Sequence, residues 1–240
     1  MDNGFDTQAS DDQQKEEFIS LVAHEFRAPL TAIKGYLSMI LEGDAGKVSD
    51  KARGFIADAL TVNERLVRLV NNMLNVSRIE KGKLLFQLEK INLSRIARGA
   101  IDNFRAEADR KGLNFALEIP ARVKDLIEVD VDKINEVVAN LVSNAVKYTD
   151  KGFVKIKVLT LDEGWIRLEV IDSGPGISKE EQKLLFRKFY RVESTAGKTV
   201  GTGLGLYICK LLIEKFNGKI GVESDVGRGS NFWFELPLAK

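Results

Sequence analysis

Two long stretches of helical periodicity, residues 13–41 and 49–80, follow one another across a short link, and this pairing limits the chain's folding options more than any other feature. The link is Glu42-Gly43-Asp44-Ala45-Gly46-Lys47. Its two glycines break the periodicity and turn the chain. Ser49 followed by Asp50 predicts the N-cap of the second helix. Two helices so joined form an antiparallel hairpin. Such a pair cannot enclose a core alone. The apolar stripes expected are Phe18, Val22, Ile33, Leu37 and Ile40 on the first helix, and Ile56, Leu66, Leu69 and Met73 on the second. The simplest cover for them is a second copy, so the expectation is a four-helix-bundle homodimer through residues 13–80. Residues 1–12 are polar and acidic and are expected to be a disordered lead-in.

The texture changes at Lys81-Gly82-Lys83. Strand-like alternation occurs at 84–88, 113–119, 153–161, 165–171, 219–223 and 231–236. Asp162-Glu163-Gly164 marks a hairpin turn between two of these. Helical patterns fall at 93–111, 131–148 and 204–216. Residues 81–240 are therefore expected to form an α/β sandwich, so the fold class is α plus α/β. The one cysteine, Cys209, excludes an internal disulfide and a thiolate metal cluster. The one histidine, His24, excludes a multi-histidine metal site. With 36 Lys and Arg against 35 Asp and Glu, bulk charge gives no reason to expect nucleic acid as a partner. No run of about 18 apolar residues is present to span a bilayer.

At about 100° per residue, the centre of the first stripe falls opposite His24, which is therefore expected on the solvent face. The surrounding segment is His24-Glu25-Phe26-Arg27-Ala28-Pro29-Leu30-Thr31. It resembles the phosphoacceptor box of the sensor histidine kinases, usually written H-E-[LF]-R-T-P-L. In that setting a neutral ring nitrogen of His24 attacks a γ-phosphate, and Glu25 takes the proton of the other nitrogen. Pro29 removes a helix N–H and frees a carbonyl one turn earlier. One position departs from the pattern. The family usually has Thr or Asn where this chain has Ala28, a group implicated there in positioning water for dephosphorylating the partner. Alanine cannot hold a water, so phosphatase activity is expected to be weak.

The helical pattern at 131–148 places Glu136, Asn140, Asn144 and Lys147 on one face. Asn oxygens suit Mg²⁺ and lysine suits phosphate. The run from Asn140 to Thr149 resembles the N box of histidine kinases and their ATPase relatives. The resemblance gives Asn144 the metal, Asn140 support beside it, Lys147 a phosphate and Tyr148 a place near adenine. Three further boxes follow in the family's order. Asp172, Gly174, Gly176 and Ile177 sit after a strand, where the carboxylate can accept from the adenine amino group. Phe186, Phe189, Tyr190 and Arg191 form an F-x-x-F-Y-R box, with Arg191 expected to bridge the γ-phosphate and the acceptor. Gly201, Thr202, Gly203, Leu204, Gly205 and Leu206 open a helix whose N-terminus suits an anion. Gly227-Arg228-Gly229-Ser230-Asn231-Phe232 lies in a late hairpin turn, which in the family helps close the pocket. The stretch 192–200 would be the lid over ATP.

The resemblance covers about residues 12–240. It implies a GHKL (Bergerat) ATPase sandwich after the hairpin, ATP and Mg²⁺ as cofactors, and catalysis by His24, Glu25 and Arg191. It further implies relay of the phosphoryl group to an aspartate on a response regulator receiver domain, and a cytoplasmic setting for this portion, whether or not the natural parent is membrane-anchored. The alternatives are a GHKL ATPase without a phosphohistidine, or a non-enzymatic dimeric scaffold.

Overall fold

The computed structural model describes the backbone of residues 4–161, 164–192 and 202–239, with side chains from Val22 onward. The chain divides into two compact units, Met1–Leu84 and Leu85–Lys240.

The first unit is the helical hairpin, α1 (Gly4–Glu42) and α2 (Asp50–Glu80). Ser49 caps α2 as its sequence predicts, its hydroxyl accepting from the Ala52 amide at 3.3 Å. One expectation needs correction. The backbone is helical from Gly4, so residues 4–12 extend α1 and are not an irregular lead-in. The seam between the helices takes in only part of the expected stripes. It holds Ala23, Leu30, Val70, Met73 and Leu74, while Ile33 and Leu66 are exposed and Phe18 lies outside the described side chains. The physical reason is that each helix carries two apolar faces. One faces its sister helix and the other faces out, and a single averaged stripe falls between them. Polar ties fix the register of the seam: Asn63 Nδ2 donates to the Leu30 carbonyl at 2.9 Å, and Arg27 Nε to Asn71 Oδ1 at 3.2 Å.

The second unit is a five-stranded sheet covered on one face by helices. Its strands are β2 (Asn114–Glu118), β4 (Phe153–Thr160), β5 (Trp165–Asp172), β6 (Lys219–Asp225) and β7 (Gly229–Pro237), in the order β2-β4-β5-β7-β6. Only the β2–β4 pair is parallel. A separate two-stranded sheet pairs β1 (Leu88–Asn92) with β3 (Leu126–Asp130). The expected strand at 84–88 is thus displaced to β1, and β3 was not anticipated. The helices are α3 (Leu93–Arg110), α4 (Val131–Tyr148), the short α5 (Lys179–Gln182) and α6 (Gly205–Lys215). Period-two alternation sets the core. Val154, Ile156 and Val158 of β4, Ile166, Leu168 and Val170 of β5, and Phe232, Phe234 and Leu236 of β7 are buried on one side. Against them lie Ile134, Val137, Val138 and Leu141 of α4 and Leu212 and Ile213 of α6. Asp162 and Glu163, in the expected β4–β5 turn, lie outside the described residues.

Candidate functional site

His24 and Ala23 are neighbours on α1 with opposite fates. Ala23 is in the seam, and the His24 side chain is 72% exposed, as expected from the helical wheel. Glu25 is equally open, with Oε1 3.8 Å from His24 Nδ1. That is beyond hydrogen-bond length. Nδ1 is the ring nitrogen recorded beside the carboxylate. Pro29 offers no N–H to the Glu25 carbonyl. The Thr31 hydroxyl donates to the Arg27 carbonyl at 2.8 Å within the same turns. Ala28, one turn after His24, is exposed.

In the second unit, α4 is amphipathic because Ile134, Val137, Val138, Leu141 and Ala145 face the core. Asp130 caps it, accepting from the Lys133 amide at 3.1 Å. The expected polar row Glu136, Asn140, Asn144 and Lys147 lies half-buried on the other side. Asn144 Nδ2 donates to Asn140 Oδ1 at 2.9 Å, so the Asn144 oxygen is the group left for a cation. Glu136 is engaged by Lys133 at 3.0 Å. The Lys147 ammonium lies 4.8 Å from the centre of the Tyr148 ring.

Close backbone approaches join the boxes. A methyl group at Gly205 would overlap the Asn140 carboxamide, its Cβ 3.0 Å from Oδ1. This brings the start of α6 onto the N-box face. At Gly203, with φ +71°, a Cβ would lie 2.6 Å from the Phe189 carbonyl carbon. Phe189 is itself at φ 63° and largely exposed, a conformation that stores strain in a non-glycine residue. At Gly174 a Cβ would stand 2.8 Å from Asp172 Oδ1, 3.2 Å from the Tyr148 carbonyl oxygen and 3.3 Å from Thr149 Oγ1. At Gly176 it would meet the Asp225 carbonyl and lie 2.9 Å from Val226 Cα. Ile177 is fixed through its amide, which donates to Ser224 Oγ at 2.9 Å. Thus Asn140, Asn144, Lys147, Tyr148, Asp172, Gly174, Gly203 and Gly205 belong to one linked region. Thr202 accepts from the Leu204 amide at 3.3 Å, and Leu204 is buried while Leu206 is half-buried. Arg191 is half-buried and engaged. Gly201 and residues 193–200 of the expected lid lie outside the described residues.

Asp172 is buried, and that burial raises its pKa above the usual carboxylate value against amide hydrogen bonds from Gly174 and Ser230. The Thr149 side chain is completely buried, yet Oγ1 has no hydrogen-bond partner. A buried unpaired hydroxyl is costly, so this orphan points to a polar ligand or water beside Gly174. The sequence reading quoted Thr149 only as the end of a motif. It gave no signal for the Ser224–Ser230 pair either, whose hydroxyls lie 3.0 Å apart and anchor the turn facing Ile177.

Residues 14–82 match the family model of the His Kinase A (phospho-acceptor) domain, and residues 129–240 match that of the histidine kinase-, DNA gyrase B- and HSP90-like ATPases. Sensor protein SrrB of Staphylococcus aureus (strain NCTC 8325 / PS 47) is 35% identical over 228 residues, 94% of this chain and 38% of SrrB. The chain therefore spans well under half the length of that curated relative. Among solved structures, full-length ShkA in complex with AMPPNP matches with a TM-score of 0.79 at 28% identity, over 93% of this chain and 46% of ShkA. The catalytic domain of histidine kinase ThkA matches at 32% identity and a TM-score of 0.56, over 63% of this chain and 96% of that domain. ThkA in complex with the response regulator protein TrrA matches at 28% identity and a TM-score of 0.66, over 93% of this chain and 61% of that one.

Proposed function

This chain belongs to the sensor histidine kinases, and on that premise we propose that it binds ATP with Mg²⁺, phosphorylates its own His24 and relays the phosphoryl group to an aspartate of a response regulator. The observation that carries this reading is the presence in one chain of an open His24, with Nδ1 near Glu25, and of a linked cluster of N-box and glycine-loop residues. In the proposed reaction, Nε2 of His24 attacks the γ-phosphorus, a P–N bond forms, the bond to the β-phosphate oxygen breaks and ADP leaves. The Nδ1 proton moves toward Glu25, which stabilises the imidazolium that develops. Asp172, as an ionised acceptor, takes the adenine amino hydrogen bond. Lys147 and Arg191 hold phosphate oxygens, and the amides at the start of α6 add a positive end to the site.

The residues fit a hard cation. Among the described residues, no cluster of three His, Cys, Asp or Glu could hold a metal by itself. Asn144 would therefore share Mg²⁺ with the phosphates, and the ion would supply neutralisation of their charge. The homodimer is supported by the hairpin's outward faces, where Phe26 and Ile33 of α1 and Phe55, Val62 and Leu66 of α2 are exposed in a single chain. The receiver-domain partner is supported by the ThkA complex with its regulator. No described helix is long and apolar enough to cross a membrane.

The test is incubation with radiolabelled ATP and Mg²⁺, followed by acid or base. A phosphoramidate on histidine is lost in acid and survives base. Label that survives acid, or phosphate release without any label, would defeat the kinase reading and favour a GHKL ATPase.

A further inference from the structure

The last turn of α4 delivers Lys147 and Tyr148 to the site, and Thr149 follows. Helices end with carbonyls that no later amide can reach. Glycine in a left-handed conformation often resolves this. Here the capping residue is Thr149, extended at φ −97° and ψ 116°. Its amide donates to the Ala145 carbonyl at 3.1 Å. The carbonyls of Val146, Lys147 and Thr149 are all taken by one side chain from another helix. Lys111, the C-cap of α3, donates from Nζ to them at 2.8, 2.9 and 3.2 Å. An ammonium has three N–H groups, and three carbonyls receive them. The charge also sits at the negative end of the α4 dipole. The Tyr148 carbonyl, missing from this set, faces Gly174.

We propose that Lys111 is a positioning residue for the nucleotide, holding the backbone of residues 146–149 so that Lys147, Tyr148 and Thr149 meet Asp172 and Gly174 in one geometry. The inference rests on the nucleotide reading above. Lys111 touches none of the groups assigned to ATP and acts through the carbonyls alone. Its own amide is bonded to the end of α3, so the ammonium couples the ends of two helices. A guanidinium is planar and cannot converge on three carbonyls from one atom. Charge alone is therefore insufficient.

The experiment compares the unmodified chain with Lys111→Met and Lys111→Arg, measuring KM for ATP and kcat in labelling, Kd for ADP by calorimetry, and Tm. Both variants are expected to raise KM and Kd about tenfold, with kcat at saturating ATP nearly unchanged. A fall in Tm with KM and Kd unchanged would reduce Lys111 to a stabilising cap and overturn the proposal. If Lys111→Met does not fold, Lys111→Arg carries the kinetic comparison. Failure of the unmodified chain to bind ADP at all would instead sink the nucleotide reading, which separates the two failures.

Discussion

In a Gly205→Ala variant the new methyl group would overlap the Asn140 carboxamide. The obstacle is the far end of a flexible side chain, so Asn140 can rotate away. Doing so breaks its hydrogen bond with Asn144, now 2.9 Å. Loss of that bond costs about 1 kcal/mol. The backbone at Gly205 is not in the left-handed region, so alanine reduces the freedom of the unfolded chain and returns about 0.4–1 kcal/mol. Stability should therefore change by less than about 1 kcal/mol. Binding should change far more, because the Asn140–Asn144 pair would no longer present its oxygen and the methyl group would stand at the glycine-loop entrance. ATP–Mg²⁺ affinity is expected to fall at least about tenfold. Urea unfolding would measure the first quantity and titration calorimetry the second. Gly203→Ala is the control: at φ +71° and against the Phe189 backbone, it cannot be relieved by a side-chain rotation and should destabilise the catalytic unit directly. Parental ATP affinity in Gly205→Ala would refute the placement of Asn140 and Asn144 at the ligand. A loss of several kcal/mol in stability would show that the contact belongs to the core.

Three further outcomes are expected. Asp172 has a raised pKa because burial penalises its charge, so ATP affinity should decline on acidification at a pH above the ordinary aspartate value of about 3.9. Asp125 is also buried, which raises its pKa, but hydrogen bonds from the Ser94 amide at 2.9 Å and Asn92 at 2.7 Å outweigh this and leave it lowered. Its stabilising contribution is present above the unfolded value and lost as pH falls through the lower folded value. Above the ordinary aspartate value but below the raised one of Asp172, circular dichroism should report a folded catalytic unit while calorimetry reports weak ATP binding, and simultaneous loss of both would contradict this. Ile33→Glu should convert dimer to monomer in sedimentation while leaving ADP affinity within about twofold, since Ile33 is exposed on the hairpin's outward face. Ala28→Thr should raise dephosphorylation of the cognate regulator by about tenfold, and an already efficient parental phosphatase would remove the basis for that expectation.

The legible parts of the sequence were those where local pattern and tertiary role agree. α4 was predicted over 131–148 and spans Val131–Tyr148, because its apolar period is regular and Asp130 caps it. Strands β4 and β5 alternate along their length and pair as expected. Strand β3 was missed because five residues, Leu126–Asp130, become a strand only by pairing with β1, distant in sequence. On the hairpin, the expected stripes named Met73 of the seam but not Ala23, Leu30, Val70 or Leu74, because apolar residues on α1 and α2 serve two surfaces. At the site, the exposure of His24 was legible from its position on the wheel. Lys111 left no local signal, since its three acceptors lie more than thirty residues away. Thr149 was visible as a letter in a motif, but its unpartnered hydroxyl is a property of packing.

The central claim is that His24 is the residue phosphorylated. It is the single histidine in the chain, so a His24→Gln variant removes every acceptor of that kind. With radiolabelled ATP, this variant should show no acid-labile label while retaining parental ADP affinity by calorimetry. Acid-labile label persisting in His24→Gln would contradict the account.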